Sequence, residues 1–220
     1  MLRVEFHCHT IYSKDSLTRP ETLVETCQRK GINRVVVTDH NGITGAQKAY
    51  QLDPERVIIG EEIMTTQGEI LAAFVQEEIP EGLEPGEVIK RLRQQDAFIS
   101  VSHPFDVLRQ GHWEEMQLLG ILPLVDAIET FNARCMQARF NDKAKDFAHK
   151  YNMAGTVGSD AHTAFELGKA SLLLPEFSDV DGLRKVIWSG EPDVTLSSPL
   201  VHFTSRYATW RKKLLGRPSS

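Results

Sequence analysis

The 220-residue chain is poor in the features that mark specialised classes of protein. Its three cysteines, Cys8, Cys27 and Cys135, are odd in number and nowhere spaced CxxC, which speaks against a disulfide framework or a zinc ribbon and predicts reduced thiols. No apolar run is long enough to span a bilayer, since the longest, Leu118 to Val125, is broken by Gly120 and Pro123. The first residues, Met1-Leu2-Arg3-Val4-Glu5, enter a strand pattern at once, with neither the apolar h-region nor the small-residue cleavage site of a signal peptide, so a cytoplasmic location is expected. A GxSxG elbow is missing, as are internal repeats and low-complexity segments. Acid is missing locally as well. Residues 194–220 hold five Lys/Arg and no Asp or Glu, which leaves −10 for the remainder of a chain whose total is −5. A net acidic body argues against broad nucleic-acid binding.

With 41% apolar and 25% charged residues, the chain has the composition of a single globular domain. Short β-like runs alternate with helical patterns. Strands are expected at Val4–His9, Arg34–Asp39, Val57–Ile63, Ile70–Val75, Phe98–His103, Ala127–Phe131, Ala154–Asp160 and Ala170–Leu174. Helices are expected at Arg19–Lys30, Ile43–Gln51, Pro85–Gln95, Cys135–Tyr151 and Val180–Trp188. Such alternation predicts a parallel sheet with helical crossovers, as an open doubly wound sheet or a closed barrel. Thr18 and Glu21 around Pro20 have the spacing of a capping box. Met136, Phe140, Ala144, Phe147 and Ala148 form a stripe that predicts a core-facing helix side. The segment after Pro199 reads as a solvated terminus, with a basic amphipathic helix on anionic membrane or nucleic acid as the alternative.

Chemistry collects at the strand ends. The first strand ends in His7-Cys8-His9, and strand alternation puts both imidazoles on one face with Cys8 on the other. Later strands run into Thr38-Asp39-His40, Gly60-Glu61-Glu62, Ser102-His103-Pro104 and Ser159-Asp160-Ala161-His162. In a barrel or doubly wound sheet, these ends open on one side. Gathering five imidazoles and several carboxylates without a cation would cost desolvation and repulsion that divalent ions remove. Mixed nitrogen and oxygen donors suit Zn, Mn or Fe, and their number implies two or three ions.

In this ordered set the residues resemble the PHP family, the polymerase and histidinol phosphatase metal-dependent phosphoesterases, from Val4 to about Trp188. The resemblance implies a distorted (β/α)7, TIM-like barrel over residues 1–195, followed by a basic tail at 196–220. It implies His7, His9, Asp160 and Glu62 at a first metal, Glu62 bridging to a second held also by His103, and Asp15, His40 and His162 at a third. Many relatives have His where this chain has Glu69. A carboxylate ligand there would favour harder ions such as Mn. The alternative for Glu69 is a solvated acid at the entry to a strand.

Glu5, on the face of His7 and His9, and Asp39, beside His40, are candidates to orient imidazoles. Asn132 and Arg134 lie where a strand leaves the sheet, and the planar fork of Arg134 matches phosphate oxygens. Lys14 and Arg19 are alternatives for that role. His112, His149 and His202 fall outside the motifs and read as structural.

The reaction expected is hydrolysis of a phosphomonoester, a small phosphorylated metabolite or nucleotide, by hydroxide bridging the metals. Asp160, His162 and Arg134 are the expected catalytic residues. His162 and a metal-bound water are the candidate leaving-group acids. Competing readings are a metal-dependent amidohydrolase, which also starts from HxH on a barrel strand, and a non-catalytic module. Against the first, no strand-end lysine is evident; against the second, the ligand set is nearly complete.

Overall fold

A computed structural model describes residues 1–215 of the chain. Strands β1 (Leu2–Cys8), β2 (Arg34–Val37) and β3 (Val57–Met64) pair in parallel. Strand β4 (Glu69–Ala73) is antiparallel to β3 and to β5 (Phe98–Val101). From β5 the sheet continues in parallel through β6 (Ala127–Asn132) to β7 (Ala154–Gly158). The ring closes where the chain beyond β7 meets β1. Ala161 accepts the His9 N–H at 2.8 Å and donates to the His7 carbonyl at 3.3 Å. The result is a distorted, nearly closed seven-stranded barrel. From β1 the sheet also extends antiparallel through β8 (Ala170–Leu174) to β9 (Glu191–Val194).

The all-parallel expectation therefore fails at four pairings, and the reason at β3–β4 is local. Only four residues separate Met64 from Glu69, too few for a parallel crossover. Thr65 makes the turn, its hydroxyl oxygen accepting the Gly68 N–H at 3.1 Å. The reversal matters for the site: because β4 runs backwards, its first residue, Glu69, stands at the same mouth as the last residues of β3 and β5.

Helices α1 (Pro20–Arg29), α2 (Thr44–Leu52), α3 (Pro85–Gln94), α4 (Glu115–Ile121), α5 (Ala138–Lys150), α6 (Val180–Val186) and α7 (Val201–Leu215) surround the sheet. No helix of the described residues is long and apolar enough to cross a membrane. The expected capping box is not made: α1 starts after Arg19, and the Thr18 hydroxyl donates instead to the His162 carbonyl at 3.2 Å. The α5 stripe holds for Phe140, Ala144, Phe147 and Ala148, whereas Met136 precedes the helix and is exposed. Strand β9 and helix α4 have no counterpart among the expected elements, and α7 corresponds to the helical alternative for the tail rather than to the solvated terminus. The basic tail is mostly helix; Arg217 and the rest of 216–220 lie outside the described residues.

The core between helices and sheet is apolar and separate from the mouth. Leu92 of α3 is fully buried there among Val88, Ile89 and Ile99. Leu92→Ala should lower unfolding free energy by about 2–5 kcal/mol in denaturant titration, and leave metal content unchanged.

Candidate metal centre

Every expected metal ligand arrives at the barrel mouth. Glu62 is the hub: its Oε2 lies 3.3 Å from His7 Nε2, 3.4 Å from His9 Nε2 and 3.0 Å from His40 Nδ1, and its Oε1 lies 3.2 Å from His103 Nε2. Asp160 is a second meeting point, with Oδ1 3.6 Å from His7 Nε2, 3.2 Å from His9 Nε2 and 3.4 Å from His162 Nδ1. Further out, Asp15 is 3.6 Å from His40 Nε2 and 3.1 Å from His162 Nε2. Glu69 is 3.3 Å from His103 Nε2 and buried, so it is not the solvated strand-entry acid. Asp160 has φ of 51°, in the left-handed region; backbone held there by its surroundings is a common mark of functional sites.

The residues fit divalent ions. His9, His40 and His162 offer three nitrogens within 4.8 Å of one another, as do the donors of His7, His9 and Glu62, and those of His40, Glu62 and Glu69. Buried Asp160 Oδ1, Asp15 Oδ1 and His103 Nδ1 make no hydrogen bond, a cost that ions at the first two atoms would remove. The charges are mutually adjusted. Burial alone would lower the His7 pKa, but Glu62, Asp160 and Glu129 hold it well above the usual imidazole range. Burial, with His162 and His40 nearby, holds His9 well below that range. Burial would raise Glu62, yet His7, His40 and His103 keep it well below the usual carboxylate value.

A surrounding set of residues aims the rings. His7 Nδ1 is 2.9 Å from Glu129 Oε1, and Glu129 Oε2 accepts the His103 N–H at 2.8 Å. His9 Nδ1 lies 3.1 Å from Ser13 Oγ, whose hydroxyl donates to Asp39 at 2.5 Å. His162 Nδ1 lies 2.8 Å from the Asp160 carbonyl. A neutral ring with its proton on Nδ1 presents a bare Nε2, the form a metal takes, and these partners favour that tautomer in all three. Gly158 makes room for the His7–Glu129 pair, because a Cβ there would stand 2.4 Å from both Glu129 Oε1 and His7 Cβ. Glu129→Gln should weaken Mn²⁺ binding by about 10–100-fold in calorimetric titration of the stripped protein, with the fold retained.

Several expected roles move. Glu5 orients no imidazole; it accepts N–H groups from His7, Ser159 and Gly168, and burial pushes its pKa up to about 7. Asp39 acts on His9 through Ser13 rather than on the His40 ring. Arg19 is exposed at the start of α1 and does not line the cavity. Arg134 does line it, but its Nη2 donates to the Val201 carbonyl at 3.1 Å and Ser205 Oγ at 2.9 Å, while Nε faces Glu166 at 3.3 Å. Asn132 is buried, donating to Glu129 at 3.1 Å and Asp160 at 3.3 Å. Arg134 Nη1 also donates to the Asp160 carbonyl at 3.5 Å, and a second arginine, Arg109 in the loop after β5, donates to the Asp160 carboxylate Oδ2 at 2.5 Å. Neither it nor Glu129 belongs to a sequence motif, although Arg109 follows His103 closely in the same mouth loop. His112 Nδ1 lies 2.6 Å from the Arg109 carbonyl, within the same loop. His202, by contrast, faces the cavity.

Glu61 points away from the centre, as alternation predicts. It accepts the Ile79 N–H at 3.0 Å, and its other oxygen has no partner. Burial raises its pKa from 4.5 to about 8. The unfolded chain therefore holds fewer protons than the folded one between these values, and stability falls as pH rises. Glu61→Gln should be more stable than the parent at pH 8, by on the order of 2 kcal/mol, with the gap narrowing toward pH 5 in thermal melts.

A cavity of about 400 Å³ opens beside these groups, lined in part by Lys14, Asp15, His40, Glu69, Arg109 and His162. Comparison with known proteins bears on the fold and the family. An uncharacterized protein of Methanocaldococcus jannaschii is 37% identical over 180 residues, covering 80% of this chain and 72% of that protein. Two solved structures share the fold. A Bifidobacterium adolescentis protein described as a metal-dependent phosphoesterase has a TM-score of 0.62 at 16% identity, covering 86% of this chain and 96% of that one. A Chromobacterium violaceum amidohydrolase with bound sulfate has a TM-score of 0.60 at 11% identity, covering 92% and 96%. Residues 138–192 match the PHP-associated family, and residues 5–121, from β1 to the end of α4, match the PHP domain. By its motifs, its fold and this match, the chain belongs to the PHP domain family.

Proposed function

We propose that the chain is a metal-dependent hydrolase that cleaves a phosphate monoester of a small alcohol. The observation that carries this reading is the clustering of five imidazoles with four carboxylates, Asp15, Glu62, Glu69 and Asp160, at one mouth, with the Arg109 guanidinium against Asp160. His7, His9, Glu62 and Asp160 would hold one ion, Glu62, His103 and Glu69 a second, and Asp15, His40 and His162 a third. Bound Mn, Fe or Zn ions would supply an activated water and polarise phosphoryl oxygens.

The chain's own groups do the rest. Glu129, Ser13 and Asp39 fix the ring orientations, so little reorganisation accompanies substrate binding. Arg109 takes the phosphate-facing role first considered for Arg134, because its planar fork sits beside Asp160 on the cavity wall while Arg134 is committed to α7. Arg134 then acts as a positioning residue, facing Glu166, which accepts the His162 and Thr163 N–H groups at 3.2 and 3.0 Å.

The test is phosphate release from p-nitrophenyl phosphate by Mn-loaded protein, lost on chelation and restored by added Mn²⁺. Cleavage of amide substrates by the loaded protein, without phosphate release, would overturn the ester reading in favour of an amidohydrolase.

A further inference from the structure

Helix α7 belongs to the catalytic cavity. Lys212 Nζ donates to the carbonyls of Ile11, at 2.6 Å, and Ser13, in the loop that carries Asp15. At the other end Arg134 donates to Val201 and Ser205, and the Ser197 N–H donates to the Ala133 carbonyl at 2.7 Å. The helix thus crosses the mouth from the β6 side to the β1 side. Ala208, 2% exposed, and Lys212, 7% exposed, are its most deeply seated residues. An ammonium that deeply placed is tolerable because protein carbonyls replace its water. A fifteen-residue helix is marginal in isolation, so this docking is what holds it.

From that position His202, Ser205, Arg206 and Thr209 line the same cavity as Lys14, His40 and Arg109. A volume of about 400 Å³ suits a small molecule. We infer that α7 is a specificity-determining wall that admits the phosphate ester of a small polar alcohol, met by the Arg206 guanidinium and the Ser205 and Thr209 hydroxyls, and excludes phosphate at the end of a polymer. The substrate half of this inference rests on the phosphomonoesterase reading; the wall itself does not.

Two proteins test it: a chain ending at residue 199, and full-length Ala208→Glu, which keeps every cavity residue but puts a carboxylate in the buried seat. The first readout is carbethoxylation of His162, 5% exposed, in the metal-free protein, measured by mass spectrometry against exposed His149 as the internal reference. Undocking α7 should raise the His162 rate about tenfold in either variant and leave His149 unchanged. The second readout, on Mn-loaded protein, is the ratio of kcat/KM for p-nitrophenyl phosphate to that for release of the terminal phosphate of a 5′-phosphorylated oligonucleotide. It should shift toward the oligonucleotide by about tenfold. Ala208→Glu decides the matter if the shortened chain does not fold. Unchanged His162 labelling in a folded variant overturns the wall; faster labelling with an unchanged ratio overturns its selectivity. If no form releases phosphate from either compound, the ester reading and the substrate half fall together, and the labelling still upholds or overturns the wall.

Discussion

Glu62→Gln should lower kcat/KM for phosphate release by about 10³-fold or more and reduce the number of Mn²⁺ ions bound per chain. The size of the effect follows from position. Glu62 lies within 3.4 Å of a nitrogen of each of His7, His9, His40 and His103, so it touches rings from β1 and from the chain just beyond β1, β2 and β5. Its Oε1 also accepts the Ser102 hydroxyl at 2.7 Å, which fixes the carboxylate plane. An amide keeps that shape but halves the acceptor capacity and removes the charge. Parallel metal analysis and kinetics check the result, and full metal content with full activity would show that Glu62 is not the bridge.

Arg109→Met should reduce kcat by about 10²–10³-fold while leaving metal content near that of the parent. The guanidinium meets three groups, Asp160 at 2.5 Å, Asp106 at 3.2 Å and Asn132 at 3.4 Å, and remains on the cavity wall. Burial opposes the Asp160 charge, yet Arg109 and His7 hold its pKa well below the usual carboxylate range. A purely structural arginine would give a variant with lost metal and lowered stability. A phosphate-facing one gives a folded, metal-loaded protein with a depressed kcat, and Arg109→Lys should recover only part of it because an ammonium lacks the planar fork. Steady-state kinetics with metal analysis on both variants separates these outcomes.

The candidate ligands His40, Glu62, His103, Asp160 and His162 were legible in the sequence because each stands near or just past the C-terminal end of a strand pattern, and strand ends in such folds share one side; Asp15, in the loop after β1, rested on the family resemblance. His7 and His9 needed only alternation. Glu69 was harder: its place at the mouth depends on β4 running antiparallel, which the short Thr65–Gly68 connection implied. Glu129 was hidden because a single acid inside Ala127-Ile128-Glu129-Thr130-Phe131 carries no motif; only the register of β6 against the neighbouring strands turns it toward His7. Arg134 and Arg109 are both arginines in mouth loops, and nothing in local sequence says which one α7 occupies. Helix α7 itself inverts the usual reading. Phe203, Tyr207, Trp210 and Leu214 form an apolar stripe that would be expected to face inward, yet all four are exposed, and the buried seats go to Ala208 and Lys212. Hydrogen bonds from Lys212 and Arg134, rather than apolar periodicity, set its orientation.

Anomalous diffraction at the manganese edge, from crystals grown with Mn²⁺, addresses the metal centre most directly. At least two peaks should appear among the imidazoles, one of them in contact with His7, His9 and Asp160, and with Glu62 shared between neighbouring peaks. Saturating Mn²⁺ with no anomalous density within reach of Glu62 and Asp160 would contradict it.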